Sequence, residues 1–184
     1  RRGTQVISTD EQPRHADIAR IPQLKPAFGA EGRTTAANAS SISDGASTMI
    51  LTAAEAVPAQ APRVRIEGHG CYAAEPDQFC SAPGFAMANL LASIGWAADD
   101  VDLYEVNEAF AVVPILAARH IGVSLDKMNI RGGACALGHP IGASGARIVT
   151  TLVNALIARG GGRGMASICL GGGEALAMAL EVTG

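Results

Sequence analysis

Three segments of the sequence place a reactive side chain where the backbone can approach a ligand closely. His139 lies within the run 132–147, which contains five glycines. Asn107 follows the short run 101–106, and Cys169 follows 165–168 and precedes three consecutive glycines. An imidazole and a thiol can exchange protons, and an amide or a glycine N–H can donate to a ligand oxygen. These segments therefore predict one site in which an amide, an imidazole and a thiol meet a ligand oxygen.

A long helix is expected to hold the histidine loop in place. From Ile148 to Ile157, apolar residues recur at three- and four-residue steps, which is the pattern of an amphipathic helix. Pro140 suits the first turn of that helix, because its missing N–H needs no partner there. Gly160 suits the position just after the helix. We therefore expect His139 on a tight loop at the start of a helix that reaches Arg159.

The remaining pattern predicts alternating strands and helices. Strands are expected near 64–67, 101–106, 127–131, 163–169 and 175–183, and helices near 83–93 and 108–120. This alternation predicts an α/β fold with parallel pairing, whereas the last two strands, joined by a glycine turn, must be antiparallel. Sites in such sheets form beyond the carboxyl ends of strands, where Asn107 and Cys169 both fall.

Two local features complete this description. Residues 34–62 are expected to form a loop followed by a helix, because serine and aspartate precede an apolar run. Pro114 is expected to kink the helix at 108–120.

Composition argues against several classes of protein. The chain has 184 residues, 48% of them hydrophobic, and a net charge of −3 without a basic run, so nucleic-acid binding is not expected. No apolar stretch has the length of a membrane span. Four cysteines without CxxC spacing favour reduced thiols in an intracellular protein. Cys135 lies close to His139, but two further zinc ligands at suitable spacing are missing, so no metal site is predicted.

Four motifs are similar to those of the thiolase family, specifically its acetyl-CoA acetyltransferase group. They are NEAFA at 107–111, GGACALGHPIGASGARI at 132–148, CLGGGEA at 169–175 and TTAANASSISDGA at 34–46. The resemblance implies the layered α-β-α-β-α fold of thiolases, of which this chain corresponds to the C-terminal half, a mixed sheet with flanking helices. The thiolase segment with the acyl-accepting cysteine has no counterpart in this sequence, so the resemblance also implies that this chain alone is inactive.

The same resemblance divides the chain into three parts. Residues 1–43 correspond to the end of the CoA-binding loop domain. Residues 44–62 correspond to the last piece of the N-terminal domain and a linker, and residues 63–184 to the C-terminal domain.

Thiolases cleave 3-ketoacyl-CoA, or form it by Claisen condensation, through an acylated cysteine. His139 matches the family histidine that deprotonates that cysteine and points at the thioester oxygen. Cys169 matches the cysteine that moves the α-proton of acetyl-CoA. Asn107 matches the residue that positions a water at one oxyanion, and Gly171 matches an N–H donor to the other. The implied reaction is short-chain, 2 acetyl-CoA = acetoacetyl-CoA + CoA.

Four more residues match positions that contact CoA in the family. Arg14 corresponds to an arginine beside the adenine, Phe28 to an aromatic residue of the pantetheine channel, and Ala36 and Ser40 to contacts of the pantetheine arm. A guanidinium can stack on adenine or pair with phosphate, and a phenyl ring can pack against an apolar arm. The resemblance implies CoA and acetyl-CoA as substrates, with no tightly bound cofactor.

Family membership would also imply a homodimer or homotetramer that acts in the cytoplasm in fatty acid metabolism, with the N-terminal half as partner. Two other functions stay open. A ketoacyl-synthase-type condensing enzyme usually has histidine at the position of Cys169, so the cysteine argues against it. A catalytically silent thiolase-like subunit or CoA-binding scaffold is compatible with the sequence, because the acyl-accepting cysteine is not in it.

Overall fold

A mixed four-stranded sheet forms the centre of the chain. The computed structural model describes residues 4, 6, 8–10 and 12–183. The strands lie in the spatial order β1-β4-β3-β2 and comprise β1 (Arg63–Ala73), β2 (Leu103–Val106), β3 (Gly162–Cys169) and β4 (Glu174–Thr183). Strand β3 is parallel to β2 and antiparallel to β4, and β4 is antiparallel to β1.

Helices cover both faces of this sheet. Within the described residues they are α1 (Gln12–His15), α2 (Ala82–Ile94), α3 (Val112–Ile121), α4 (Ala134–Leu137) and α5 (Ser144–Ala158). Short 3₁₀ turns occur at Ile18–Gln23, Ala54–Ala56, Pro76–Gln78, Ala98–Asp100 and Leu125–Lys127. Helices α2 and α3 pack on one face and α5 packs on the other, which makes three layers.

The alternation of side chains along the strands separates two hydrophobic cores. Met165, Cys169 and Tyr104 belong to the core shared with α2 and α3. Leu103 and Ala166 belong to the core shared with α5. Successive strand residues point to opposite faces of the sheet. The odd-numbered residues of β2 therefore face α5, and the even-numbered residues face α2 and α3.

Helix α5 is held on the sheet by its apolar stripe and ends as predicted. Leu152 is completely buried among the side chains of the second core. After the helix, Gly160 has φ +93°, and the N–H of Gly161 donates to the carbonyl of Leu156 at 2.9 Å. This is the left-handed cap that glycine makes without a steric penalty.

The start of α5 differs from the expectation. Pro140 does not lie in the first helical turn: its carbonyl accepts from the N–H groups of Ala143 and Ser144 at 2.7 and 2.8 Å. A separate turn thus precedes the helix, which begins at Ser144.

Two predicted strands also differ from the structure. Strand β1 continues through the expected loop to Ala73, because it pairs with β4 along its length apart from a bulge near Glu67. The predicted strand at 127–131 is wrong, since Met128 forms only an isolated bridge with Tyr104. The Asn129 N–H still donates to the Tyr104 carbonyl at 2.8 Å. The pairing stops there because Asn129 has φ +50° and its side-chain amide, rather than the backbone that follows, bonds to Val106.

Two helix predictions need correction as well. Helix α3 begins at Val112 instead of near 108, because residues 109–111 are hydrogen-bonded to 38–40. Pro114 therefore lies in the first turn, where its missing N–H breaks no intrahelical bond, and the reason for a kink disappears. Residues 34–62 contain the 3₁₀ turn Ala54–Ala56 and no α-helix. Ile50 and Leu51 are 91% and 71% exposed, so these two apolar side chains have no apolar surface among the described residues to pack against.

The other elements agree with the sequence prediction. Helix α2 ends at Gly95 in the left-handed conformation, and β2, β3 and β4 lie within a few residues of the expected ranges. The parallel pair β2–β3 and the antiparallel pair β3–β4 confirm the predicted α/β fold with a mixed sheet. Among the helices of the described residues, none is long and apolar enough to cross a membrane.

Replacing Leu152 with alanine tests the packing of α5 on the sheet. The change leaves a cavity in the second core, and we expect the free energy of unfolding to fall by about 2–5 kcal/mol in the intact protein that carries this chain. Leu125→Ala is the matched control, because Leu125 is half exposed, and it should cost less than about 0.5 kcal/mol. Equilibrium denaturation measures both values, and equal losses would contradict the burial of Leu152 between α5 and the sheet.

Candidate active site

Asn107 and His139 meet at the carboxyl edge of the parallel strand pair. The N–H of Asn107 donates to the carbonyl of Ser167 at 2.9 Å, which carries the β2–β3 ladder one residue beyond β2. Asn107 is 0% exposed, and its Nδ2 lies 3.3 Å from Nε2 of His139. The structure thus brings together two residues that the sequence analysis took from separate motifs.

The contacts of His139 assign its tautomer. Its Nδ1 lies 2.6 Å from Oγ of Ser144, and that hydroxyl donates its single proton to the carbonyl of Pro140 at 3.1 Å. The Ser144 oxygen therefore accepts from Nδ1–H, which leaves Nε2 with a free lone pair directed at the Asn107 amide. Burial, followed by the positive charge of Arg147, lowers the pKa of His139 below its ordinary value. The imidazole is consequently neutral near pH 7, with Nε2 as its basic atom.

The segment 38–43 connects the histidine loop to the asparagine loop. The carbonyl of Ser41 accepts from the His139 N–H at 2.8 Å. Further back, the N–H and Oγ of Ser40 both donate to the carbonyl of Ala109, at 3.2 and 3.1 Å. The Ala111 N–H donates to the carbonyl of Asn38 at 2.9 Å. One extended stretch of backbone therefore sets the distance between the two loops.

Two glycines of the histidine loop are required by close approach. A Cβ at Gly133 would overlap the carboxylate of Glu108. A Cβ at Gly138 would overlap Oγ of Ser43, and Gly138 also has φ +88°. The loop can reach its position beside Asn107 only because these residues have no side chain.

Glu108 and Asn129 brace this loop from the other side and were missed by the sequence analysis. Glu108 accepts from Asn129 Nδ2 at 3.1 Å and from the Cys135 N–H at 3.0 Å. The Asn129 amide also bonds to both the N–H and the carbonyl of Val106, each at 2.8 Å. Asparagine is one of the few residue types that readily adopts a positive φ, so its place ahead of the glycine run was an available signal.

Cys135 remains a packing residue in this geometry. Burial, and then the neighbouring Glu108, raise the pKa of its thiol to about 11. A thiol of this kind is protonated and unreactive at neutral pH. Within the described residues, no group of three or more His, Cys, Asp or Glu side chains is arranged to hold a metal ion.

Cys169 ends β3 at the same edge of the sheet, two residues beyond the partner of Asn107. Its side chain is buried in the core shared with α2 and α3, together with Cys80 and Phe110. Burial, and to a smaller extent Cys80, raise the pKa of the Cys169 thiol to about 11. The group is therefore a protonated thiol at neutral pH and can donate a proton.

Gly171 lies in the tight turn between β3 and β4, next to Cys169. It is exposed, and no atom of the described residues lies within 4 Å of the position that a Cβ would occupy. A ligand can therefore approach the backbone on that side of the turn.

Of the four residues expected to contact CoA, two border the asparagine loop. The Phe28 ring packs edge-on against Phe110, with ring centroids 5.5 Å apart and an interplanar angle of 88°. Ser40 bonds to Ala109, and Ala36 lies in the turn just before it. Arg14 lies on α1, which packs near α4, and its side chain is exposed.

Glu105 and Arg147 are charged residues that the sequence analysis did not assign. Glu105 is 2% exposed, and Arg147 Nη2 donates to Asn107 Oδ1 at 3.5 Å. Glu105 lies in a short apolar strand, two residues before Asn107 and on the same face. This position was a signal that could have pointed to a buried charge.

Comparisons with known proteins agree with this architecture. The model of the thiolase C-terminal domain matches residues 60–182, and that of the thiolase N-terminal domain matches residues 1–55. Acetyl-CoA acetyltransferase 2 of Arabidopsis thaliana is 42% identical over 184 residues, which cover 98% of this chain and 46% of that protein. The cytosolic acetyl-CoA acetyltransferase of Mus musculus is 42% identical over 187 residues, covering 98% and 47%. The chain thus spans about half the length of these curated relatives.

Solved structures show the same fold. The crystal structure of the Bacillus anthracis acetyl-CoA acetyltransferase matches with a TM-score of 0.90 at 36% identity, over 99% of this chain and 47% of that chain. Human mitochondrial 3-ketoacyl-CoA thiolase in complex with CoA matches with a TM-score of 0.84 at 33% identity, over 97% and 46%. The domain matches, the sequence identity and the shared layered α/β fold lead to one conclusion: the chain belongs to the thiolase family.

Proposed function

We propose that the protein carrying this chain is an acyltransferase that interconverts acetoacetyl-CoA plus CoA and two molecules of acetyl-CoA. The observation that carries this proposal is the 3.3 Å contact between Asn107 Nδ2 and His139 Nε2 at the sheet edge where Cys169 also ends its strand. The relatives from Arabidopsis thaliana and Mus musculus, both named acetyl-CoA acetyltransferases, support it. In this proposal the nucleophilic cysteine belongs to the part of the relatives' length that this chain does not cover.

His139 is the base of the acylation step. Its neutral Nε2 takes the proton of the nucleophilic thiol, so that a thiolate attacks the ketone carbonyl of acetoacetyl-CoA. The imidazolium that results then donates Nε2–H to the oxygen that has become negative. Asn107 Nδ2, next to Nε2, donates to a water or directly to that oxygen. One such donor contributes about 10²–10³-fold in rate.

Cys169 acts in the step that breaks the carbon–carbon bond. When the bond breaks, the nucleophilic cysteine keeps one acetyl group and the other leaves as the enolate of acetyl-CoA. The protonated Cys169 thiol gives its proton to the enolate carbon, and Gly171 N–H stabilises the enolate oxygen. CoA then attacks the acetyl-cysteine and gives its thiol proton to the Cys169 thiolate. The nucleophilic cysteine leaves and takes back the proton held by His139. Synthesis runs through the same steps in reverse.

The CoA arm passes along the asparagine loop in this proposal. Phe28 packs against the pantetheine chain while its edge rests on Phe110. Ser40 gives its proton to Ala109, so its oxygen is left to accept from an amide N–H of the pantetheine. Ala36 contacts the same arm, and Arg14 meets the adenine or a phosphate of CoA.

Family membership and the names of relatives support the cellular setting. Two rodent relatives are named cytosolic, which favours the cytoplasm, whereas a Bos taurus relative is named mitochondrial. A cytoplasmic homodimer or homotetramer of fatty acid metabolism is the arrangement we propose. The domain boundaries after residues 43 and 62 stay predictions.

Substrate preference tests the proposed function. The intact protein should cleave acetoacetyl-CoA with a higher kcat/KM than 3-ketoacyl-CoA substrates of eight or more carbons. The assay follows CoA-dependent loss of each substrate. A preference for the longer substrates would contradict the short-chain assignment, and CoA binding without turnover of any substrate would favour the silent subunit.

Replacing His139 with alanine tests the base. Without Nε2 the nucleophilic thiol stays protonated, so kcat for acetoacetyl-CoA cleavage should fall by about 10²–10⁴-fold. His69→Ala is the control, because His69 is exposed on β1, remote in sequence from the site motifs. Equal activity of the two variants would rule out His139 as the base.

Replacing Cys169 with alanine separates the two chemical steps. Cleavage of acetoacetyl-CoA should be lost, because the enolate has no proton donor, while exchange of labelled CoA into acetyl-CoA should continue through His139. Cys71→Ala, at an exposed position of β1, should leave both reactions unchanged. A parallel loss of exchange and cleavage would show that Cys169 is not confined to the carbon–carbon step.

A further inference from the structure

Two charged side chains that the proposed reaction does not use lie in the layer between the sheet and α5: Glu105, which is buried, and Arg147, which is half-buried but whose Nε and Nη1 atoms are buried. Glu105 follows Leu103 on β2 at a two-residue step, and Leu103 belongs to the core shared with α5. Glu105 therefore points toward α5, as does Asn107 two residues later. Arg147 is in the first turn of α5, and its Nη2 reaches Asn107 Oδ1.

Several polar atoms of this pair are buried and have no hydrogen-bond partner within the described residues. They are Oε2 of Glu105 and the Nε and Nη1 atoms of Arg147. Burying one charge without an opposite charge nearby costs several kcal/mol. Burial raises the pKa of Glu105 to about 7, and the positive charge of Arg147 opposes that rise. Each residue therefore makes the burial of the other tolerable.

The Asn107 amide has two orientations with opposite hydrogen-bonding consequences. In the observed one, Oδ1 faces the N–H groups of Arg147, and Nδ2 donates toward the lone pair of His139 Nε2. In the reversed one, the amide NH₂ would face a guanidinium that can only donate, and Oδ1 would face the Nε2 lone pair. Both contacts would then be repulsive.

We propose that Arg147 is a positioning residue of this site, and that it fixes the Asn107 amide so that Nδ2 meets His139 and the substrate oxygen. Glu105 balances the charge that allows the guanidinium to be buried there. The effect on rate rests on the proposed function, whereas the orientation of the amide does not. If Arg147 only balanced the charge of Glu105, its replacement would no longer lower kcat once Glu105 was also replaced by a neutral residue.

The test uses four variants of the intact protein. Arg147→Met should lower the thermal unfolding midpoint and lower kcat about 10²-fold with little change in KM, because a reacting group is misplaced. The double variant Glu105→Gln, Arg147→Met leaves no unpaired buried charge and should regain thermal stability without regaining kcat. Arg147→Lys, whose Nζ still donates to Oδ1, should regain part of kcat.

Arg159→Met is the matched control at the other end of α5. Arg159 pairs with Asp102 at 3.1 Å, partly exposed, and makes no described contact with Asn107 or His139. This variant should keep the wild-type kcat. If the double variant regains kcat together with stability, Arg147 serves only to balance charge and the proposal is wrong. Should Arg147→Met fail to fold, the double variant decides the question alone.

Neutron crystal structures of the double variant and of Arg159→Met distinguish the amide nitrogen from the oxygen, whether or not the protein cleaves acetoacetyl-CoA. We expect the 3.3 Å contact between Asn107 Nδ2 and His139 Nε2 to be lost in the first and kept in the second. A retained contact in the double variant would overturn the positioning role. An inactive wild-type protein, in contrast, would overturn the proposed function and leave this structural comparison valid.

Discussion

The parallel pairing of β2 with β3 is the constraint on which the site depends. The hydrogen bond from the Asn107 N–H to the Ser167 carbonyl extends that pairing beyond β2 and buries the Asn107 side chain completely. The same pairing sets the carboxyl end of β3, where Cys169 lies, at the same edge. Asparagine and cysteine, 62 positions apart by residue number, are thus held by backbone geometry rather than by contact between their side chains.

His139 reaches this edge on a loop that belongs to no strand of the sheet and is held by individual hydrogen bonds. The loop is held by the carbonyl of Ser41 on one side and by Glu108, through Asn129 and the Cys135 N–H, on the other. The close approach of Gly133 to Glu108 and of Gly138 to Ser43 leaves no room for side chains. Precise placement of an imidazole on a loop therefore depends on backbone contacts and on residues without a Cβ.

Burial prepares the two proton-transfer groups in opposite ways. Removing a group from water disfavours its charged form, so the pKa of a histidine falls and the pKa of a cysteine rises. His139 and Cys169 both show burial as the first cause of their shifts. The imidazole is therefore neutral and able to accept a proton, and the thiol is protonated and able to give one. One physical cause thus supplies both a base and an acid.

Local rules were enough where a structural feature depends on neighbouring residues. Gly160 after an apolar stripe predicted the end of α5, and the glycine turn predicted the antiparallel pair β3–β4. Local rules failed where distant partners decide the backbone. Helix α3 starts late because residues 109–111 bond to 38–40. The pairing of Met128 and Asn129 with Tyr104 goes no further because the Asn129 side chain, rather than the next stretch of backbone, bonds to Val106.

The sequence by itself determined the reactive groups, the order of the main elements and the motifs that are similar to thiolases, because these follow from residue type and spacing. Tertiary structure alone decided which groups act on one another. The hydrogen bonds from the His139 ring to Ser144 and from Arg147 to the Asn107 amide depend on how α5 packs against the sheet. That packing is a property of two cores assembled from residues far apart in the chain, and no local pattern in the sequence encodes it.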